Sequence, residues 1–171
     1  MTRRSQSSPR LNFAWLAGLI LPLTFASGVF AQTPEIRVEL AGQRVVIAEG
    51  KESLVPADKA GPGDVIQYAA VYRNAGQSVA KNVTATVPIP KGMALVAESA
   101  KPAAEQASLN GKDFSPVPLL REVKNDAGIL EKRPVPVAEY RALRWTLPEL
   151  APEKTATFVL RAQLLTNSPA K

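Results

Sequence analysis

Between Gly61 and Gly92 the chain reads GPGDVIQYAAVYRNAGQSVAKNVTATVPIPKG, and this stretch constrains the fold more than any other. A turn at Gly61-Pro62-Gly63-Asp64 opens a run with a period of two. Ile66, Tyr68, Ala70 and Tyr72 fall on one side of it, Gln67, Ala69 and Arg73 on the other. A second turn cluster, Asn74-Ala75-Gly76, leads to another alternating run, with Val83, Ala85 and Val87 opposite Thr84 and Thr86. Alternation in β-branched and aromatic residues, bounded by Gly, Pro and Asn, is the pattern of two half-buried strands.

The flanking sequence extends that pattern. Ile36, Val38 and Leu40 alternate with Arg37 and Glu39 as a first strand; Ala41-Gly42 reads as a bend, and Val45-Val46-Ile47 as a further strand or its continuation. Glu49 to Glu52 reads as a polar turn, and Leu54-Val55 as the lead into the loop before Gly61. Pro88 and Pro90 lack backbone donors, so they end the second organising strand or set it at a sheet edge. Met93, Leu95 and Ala97 suggest a short strand stopping before Pro102, and residues 99–108 read as a helical turn or a loop. Asn110-Gly111 carries the signal of a type I′ hairpin. Ser115 to Glu139, broken by Pro116, Pro118, Pro134 and Pro136, reads as a long loop with one irregular strand near Leu119-Leu120. Leu143, Trp145 and Leu147 then alternate with Arg144 and Thr146, which directs Trp145 into the core. After a turn at Leu150 to Lys154, Phe158, Leu160, Ala162 and Leu164 share a face of a last strand. The expectation is an all-β fold, an antiparallel β-sandwich of about seven to eight strands.

The first 31 residues stand apart. Arg3, Arg4 and Arg10 precede an apolar run from Leu11 to Phe25, and Val29-Phe30-Ala31 offers small residues before Gln32. That is the pattern of a secretory signal peptide. The apolar run, interrupted by Pro22, Ser27 and Gly28, falls short of the ~20 residues of a membrane span. Arg3-Arg4 lacks the Phe-Leu that usually follows in twin-arginine leaders, so general secretion fits better, and the absence of Cys rules out a lipoprotein anchor. The leader holds three basic residues and no acid, so its removal lowers the formal charge from +6 to +3. Such an excess favours solubility and is not the basic stripe of a nucleic-acid binder. Residues 32–171 suit one domain in the periplasm or outside the cell, without a membrane span once the leader is gone.

The chain has neither Cys nor His. No disulfide can staple the domain, and the usual ligands of zinc, copper and haem are missing. A hydrolase triad built on His is excluded as well. Ser99 with Lys101, or Ser53 with Lys51, could supply a Ser-Lys dyad, but such proximity is expected by chance in loops. Asp58, Asp64, Glu98, Asp113 and Asp126 fall in predicted turns, where Asp serves local hydrogen bonding. Asn125-Asp126 with Gly128 is the nearest approach to a calcium loop and lacks its ladder of acids. Asn82-Val83-Thr84 spells a glycosylation sequon within a predicted strand and behind a bacterial-type leader, and is read as coincidence. No catalytic, cofactor-binding or metal residue is therefore assigned, and no cofactor is expected. Tyr68, Tyr72 and Trp145 read as core; Tyr140, beside the Pro-rich loop, reads as a surface contact. Arg121, Lys124, Lys132, Arg133 and Arg141, interleaved with Glu122, Asp126, Glu131 and Glu139, read as a solvated face.

Gly63-Asp64, the alternating Tyr68, Asn74 with Gly76, Asn82-Val83, and Pro90 with Gly92 together resemble the DUF11 family, a conserved repeat of bacterial envelope and secreted proteins. YRALRWTL and LAPEKTATFVLRA are similar to its closing strands. The resemblance implies an immunoglobulin-like sandwich with no established catalytic residues, present here in single copy where the family often runs in tandem. With the leader, the strand pattern and the absence of His and Cys, it points to a non-catalytic exported module with a structural or protein-binding role in the cell envelope; the chain is read as a monomer with an envelope or secreted protein as partner, and its mild charge points away from nucleic acid. The alternative is a periplasmic sandwich that binds glycan or another small ligand, or is weakly enzymatic, using the Ser115–Glu139 loop. Protein contact is expected along the edge of the Ile36–Leu40 strand, which carries no proline, or through that loop.

Overall fold

The computed structural model describes residues 33–166; the leader falls outside them. These residues form an antiparallel β-sandwich. One sheet has five strands, in the order β2 (Lys51–Pro56), β1 (Ile36–Ala48), β3 (Val65–Asn74), β11 (Thr155–Leu164) and β5 (Met93–Leu95). The facing sheet has four, β4 (Ala80–Pro88), β10 (Ala142–Leu150), β6 (Gln106–Ser108) and β7 (Ser115–Pro116). A separate two-stranded ribbon pairs β8 (Leu120–Lys124) with β9 (Leu130–Pro134).

Strand parity sets the core. Ile66, Ala70 and Tyr72 of β3 lie against Ala85 and Val87 of β4, Leu143 and Trp145 of β10, and Phe158, Leu160 and Ala162 of β11, all buried. Phe158 is the pivot between aromatic neighbours, with ring centroids 5.0 Å from Trp145 and 5.7 Å, edge-on, from Tyr72. Both polar tips find partners. The Tyr72 hydroxyl accepts the Thr86 N–H at 3.0 Å, and Trp145 Nε1 donates to the Pro102 carbonyl at 2.9 Å. Tyr68 shares the inner face but is half-buried. Its ring lies over Gly42, where an added Cβ would come within 3.2 Å of it.

At the end of β3 the fold closes on a buried amide. Asn74 is fully buried, and its Nδ2 donates to the carbonyls of Ser78 and Leu150, both at 2.8 Å. Its Oδ1 accepts from Gly76 at 3.1 Å and, at a longer 3.4 Å, from Glu35. The Asn74 backbone pairs with Lys154 and Glu153 in the β10–β11 turn. At Gly76 any side chain would strike backbone, since a Cβ would stand 2.5 Å from both Glu35 N and Thr33 O.

Several expectations need correction. The bend at Ala41-Gly42 does not interrupt β1, which runs on through Val45–Ile47. Leu54-Val55 is not a lead into a loop but part of β2, joined to β1 by Glu49 (φ 54°) and Gly50 (φ 74°). Two successive positive φ values make this a type I′ turn, with Ala48 paired to Lys51. Conversely, Asn110-Gly111 is not a two-residue hairpin. The pair lies in the longer connection from β6 to β7, only Gly111 has positive φ (76°), and Asn110 Oδ1 accepts the N–H groups of Lys112 and Asp113. Residues 99–105 form a loop in which Lys101 bridges to Val159.

Ser115–Glu139 is not a loop either. It holds β7 and the β8–β9 ribbon, which raise the strand number beyond the seven to eight expected. Tyr140 is buried at the ribbon's base, not a surface contact; its hydroxyl accepts the Leu119 N–H at 2.9 Å. Leu119 and Val135 are buried beside it and join through Val135 N–H to Leu119 C=O at 2.8 Å.

Two stability outcomes follow from this packing. Trp145→Ala should lower unfolding free energy by ~3–5 kcal/mol in chemical denaturation, and an unchanged midpoint would contradict its burial. Asn74→Ala orphans the Ser78 and Leu150 carbonyls and the Gly76 N–H, so it should cost at least about 2 kcal/mol; a neutral result would show that water replaces the amide.

Candidate functional site

The first candidate surface is the part of β1 that β2 leaves unpaired. β1 pairs with β3 from Ile36 to Arg44, but with β2 only from Gln43 onward. Among the described residues, 36–42 thus have one side with no strand partner. The Glu35 carbonyl accepts the Ala75 N–H at 2.7 Å, so Glu35 faces the β3 side. Antiparallel alternation through the unbroken register then turns the N–H and C=O groups of Ile36, Val38, Leu40 and Gly42 outward from the sheet.

The side chains there follow the same alternation. Cross-strand neighbours share a face, so Val38 beside Tyr72 and Leu40 beside Ala70 project on the core side. Each is nonetheless 52% exposed. β4, the edge strand of the facing sheet, packs on β3 and β11. Arg37 and Glu39 stand on the opposite face, where Arg37 Nε donates to Glu35 at 2.9 Å.

A second concavity lies on the outer face of the five-stranded sheet. The β1–β2 hairpin curls over it, bringing Glu52 to Arg161 of β11 although β1 and β3 lie between them in the sheet. The resulting groove of about 420 Å³ is floored by Val159 and rimmed by Glu98, Ser99 and Lys101. Arg161 Nη1 donates to Glu52 at 2.9 Å, and its Nε donates to Gln67 Oε1 at 3.0 Å. The Arg161 hydrogen bond holds the Glu52 carboxyl below its ordinary range. Ser99 Oγ donates to the Val96 carbonyl at 2.6 Å and accepts the Arg161 N–H at 3.0 Å, so that hydroxyl is committed to backbone. Ser53 Oγ, at 3.5 Å from the Val46 carbonyl, lies on the hairpin.

The remaining sequence candidates are dispersed. Asn125 Oδ1 accepts the N–H groups of Ala127 and Ile129 at the ribbon tip, both at 3.0 Å. Arg121 pairs with Glu139, and Arg133 with Glu131. Both faces of the β8–β9 ribbon are largely exposed. Among the described residues no three acids cluster as a cation site, and no helix is long and apolar enough to cross a membrane. Tyr68, whose pKa is raised by burial, points its hydroxyl at Met93 Sδ, 3.2 Å away.

Asp64 anchors the start of β3. It accepts the Gly61 N–H at 2.8 Å and Arg44 Nη1 at 3.2 Å. The Gly61 bond, then that of Arg44, lowers its pKa. No protein-family model, curated protein or solved structure matches the chain.

Because the folded state lowers the Asp64 pKa, its stabilisation is complete above the unfolded carboxylate's titration. It fades as pH falls through the lower folded value. Asp64→Asn should therefore melt below wild type at about pH 7, with the gap closing toward about pH 2. A gap independent of pH would assign the loss to geometry instead of charge.

Proposed function

We propose that this chain is a non-catalytic, exported immunoglobulin-like module of the DUF11 kind, with a structural or protein-binding role in the bacterial cell envelope. The observation that carries the reading is the free edge of β1 at residues 36–42. Strand addition needs a row of unpaired backbone groups and side-chain positions that can be covered from one face. Val38 and Leu40, apolar and half-exposed on the core side, supply the second requirement. The leader pattern supports export, and the absence of His and Cys narrows the chemistry open to the chain.

A glycan or other small ligand would have the Arg161 groove to bind in. There the guanidinium already serves Glu52 and Gln67, and the Ser99 hydroxyl serves backbone. A ligand would have to displace these bonds, and recognition by few convergent, available polar groups is what binding sites offer. The edge has no such competition.

The test is site-specific photocrosslinking in intact cells. A photoreactive residue replacing Leu40 should yield protein adducts in the envelope fraction, and Val38→Pro should abolish them. Val38 directs its N–H away from β3, so proline there removes an edge donor without breaking the ladder. Adducts from probes at Lys101 or Lys132 but none from Leu40 would move the function to the groove or the ribbon.

A further inference from the structure

The free edge of β1 is complementary to itself, and we propose that its partner is a second copy of this chain, paired antiparallel across a two-fold axis at Val38. The inference rests on the strand-addition reading and names the partner for that same edge.

Hydrogen-bonded pairing requires that residues directing their backbone groups outward meet one another. Ile36, Val38 and Leu40 are those residues, so only a few registers are open. With Val38 opposite its own copy, Ile36 meets Leu40 and both backbone bonds form within each pair. On the other face Arg37 then stands opposite the second copy's Glu39, and Glu39 opposite its Arg37. These are non-hydrogen-bonded positions, where opposed side chains come closest. The neighbouring registers fail on charge. One sets Glu39 against Glu39, the other Arg37 against Arg37, and like charges directly opposed are unfavourable. The Arg37–Glu35 contact on the same strand is exposed on both sides, so exchanging it for Glu39 of the second copy costs little.

The neighbouring chain sets where the free edge ends, since the 3-10 turn Ala57–Lys59 that follows β2 also contacts β1. Pro56 of β2 lies opposite Gln43 and blocks the edge beyond Gly42. In the Val38-centred register Gly42 meets Pro34, which has no N–H to offer and lies just before β1. The pairing stops there on both copies, before either β2 is reached. Val38 lies beside its own copy, and Leu40 beside Ile36, so these apolar positions gain a neighbour. The two five-stranded sheets become one continuous sheet. Such pairing is symmetric and closed, as an isologous dimer must be.

Sedimentation velocity on the purified exported protein, over roughly 1 μM to 1 mM, should show a reversible monomer–dimer equilibrium. Arg37→Glu alone and Glu39→Arg alone each convert both attractions to repulsions, and each should weaken the dimer by about ten-fold or more. An equimolar mixture of these two variants restores both opposite-charge pairs and should associate as tightly as wild type. The Arg37→Glu/Glu39→Arg double variant should do the same alone. Circular dichroism melts establish that every variant is folded. A wild-type protein monomeric throughout the range, or a mixture no tighter than its components, overturns self-pairing. If the Leu40 crosslinks persist in cells while the purified protein stays monomeric, the edge serves another protein and only the self-pairing falls. Leu40 adducts formed only with a second copy of this chain leave self-pairing standing and overturn the reading of another envelope protein as partner.

Discussion

The sandwich depends on one side-chain amide that water cannot reach. Asn74 ends β3 in one sheet, yet its Nδ2 bonds the Leu150 carbonyl at the end of β10 in the other. The remaining bonds fix the start of β1 and the β3–β4 connection, while its backbone holds the β10–β11 turn. Both amide hydrogens and the carbonyl oxygen are thus engaged. A buried polar group is tolerable only when its partners are all in place, so this one acts as a register lock. Gly76 is the second half of the same device, because the chain before β1 passes where a Cβ would be.

The other residues behind the DUF11 resemblance also answer to backbone geometry. Gly63 stands at φ 88° in the turn that Asp64 braces. Asn82 stands at φ 51°, in the left-handed region that Asn tolerates, where the β4–β10 ladder skips from Lys81 to Val83. Gly92, at φ 81°, takes the third position of the turn closed by Met93 N–H on Pro90 C=O at 3.2 Å, which needs positive φ. Residues selected for turns and locks announce a fold. They carry no information about a partner, which is why the same stretch that made the architecture legible leaves the activity to be argued from surface geometry.

Legibility followed burial. β3, β4, β10 and β11 each have one covered face, and their alternation put Tyr72, Trp145 and Phe158 correctly inside. β8 and β9 escape the same reading because both faces meet water, so LREVK and LEKRP have no core to alternate against. Tyr140 was misleading for a related reason: its charged sequence neighbours suggest a surface, whereas the Leu119 N–H that captures its hydroxyl lies 21 residues away. At β1 the parity of Val38 and Leu40 is right and their exposure is not implied by it. That exposure is a tertiary fact that period two cannot encode. Asn74 belongs here too, since a local Asn-x-Gly turn and a buried inter-sheet lock read alike until Leu150 is placed.

The free stretch of β1 gains its meaning from how the other edges end. β4 finishes at Pro88, with Pro90 two residues beyond. β2 opens with Lys51-Glu52 and stops at Pro56; β9 stops at Pro134. β7 has two residues, one of them Pro116, and β5 has three. Proline, charge and brevity are the ordinary ways to make an edge a poor template. Between Glu35 and Val55 there is no proline at all, and the charges of Arg37 and Glu39 point away from the core side, where a blocking charge would have to stand. Among the described residues β4 (Ala80–Pro88) is an open edge too, interrupted by Asn82 at φ 51° and ended by Pro88; the β1 stretch is the one whose alternating charges reverse sign about its middle. A sheet that leaves such an edge open without pairing it would risk indiscriminate addition; pairing in a charge-selected register is the arrangement that removes that risk while leaving the rest of the surface unchanged.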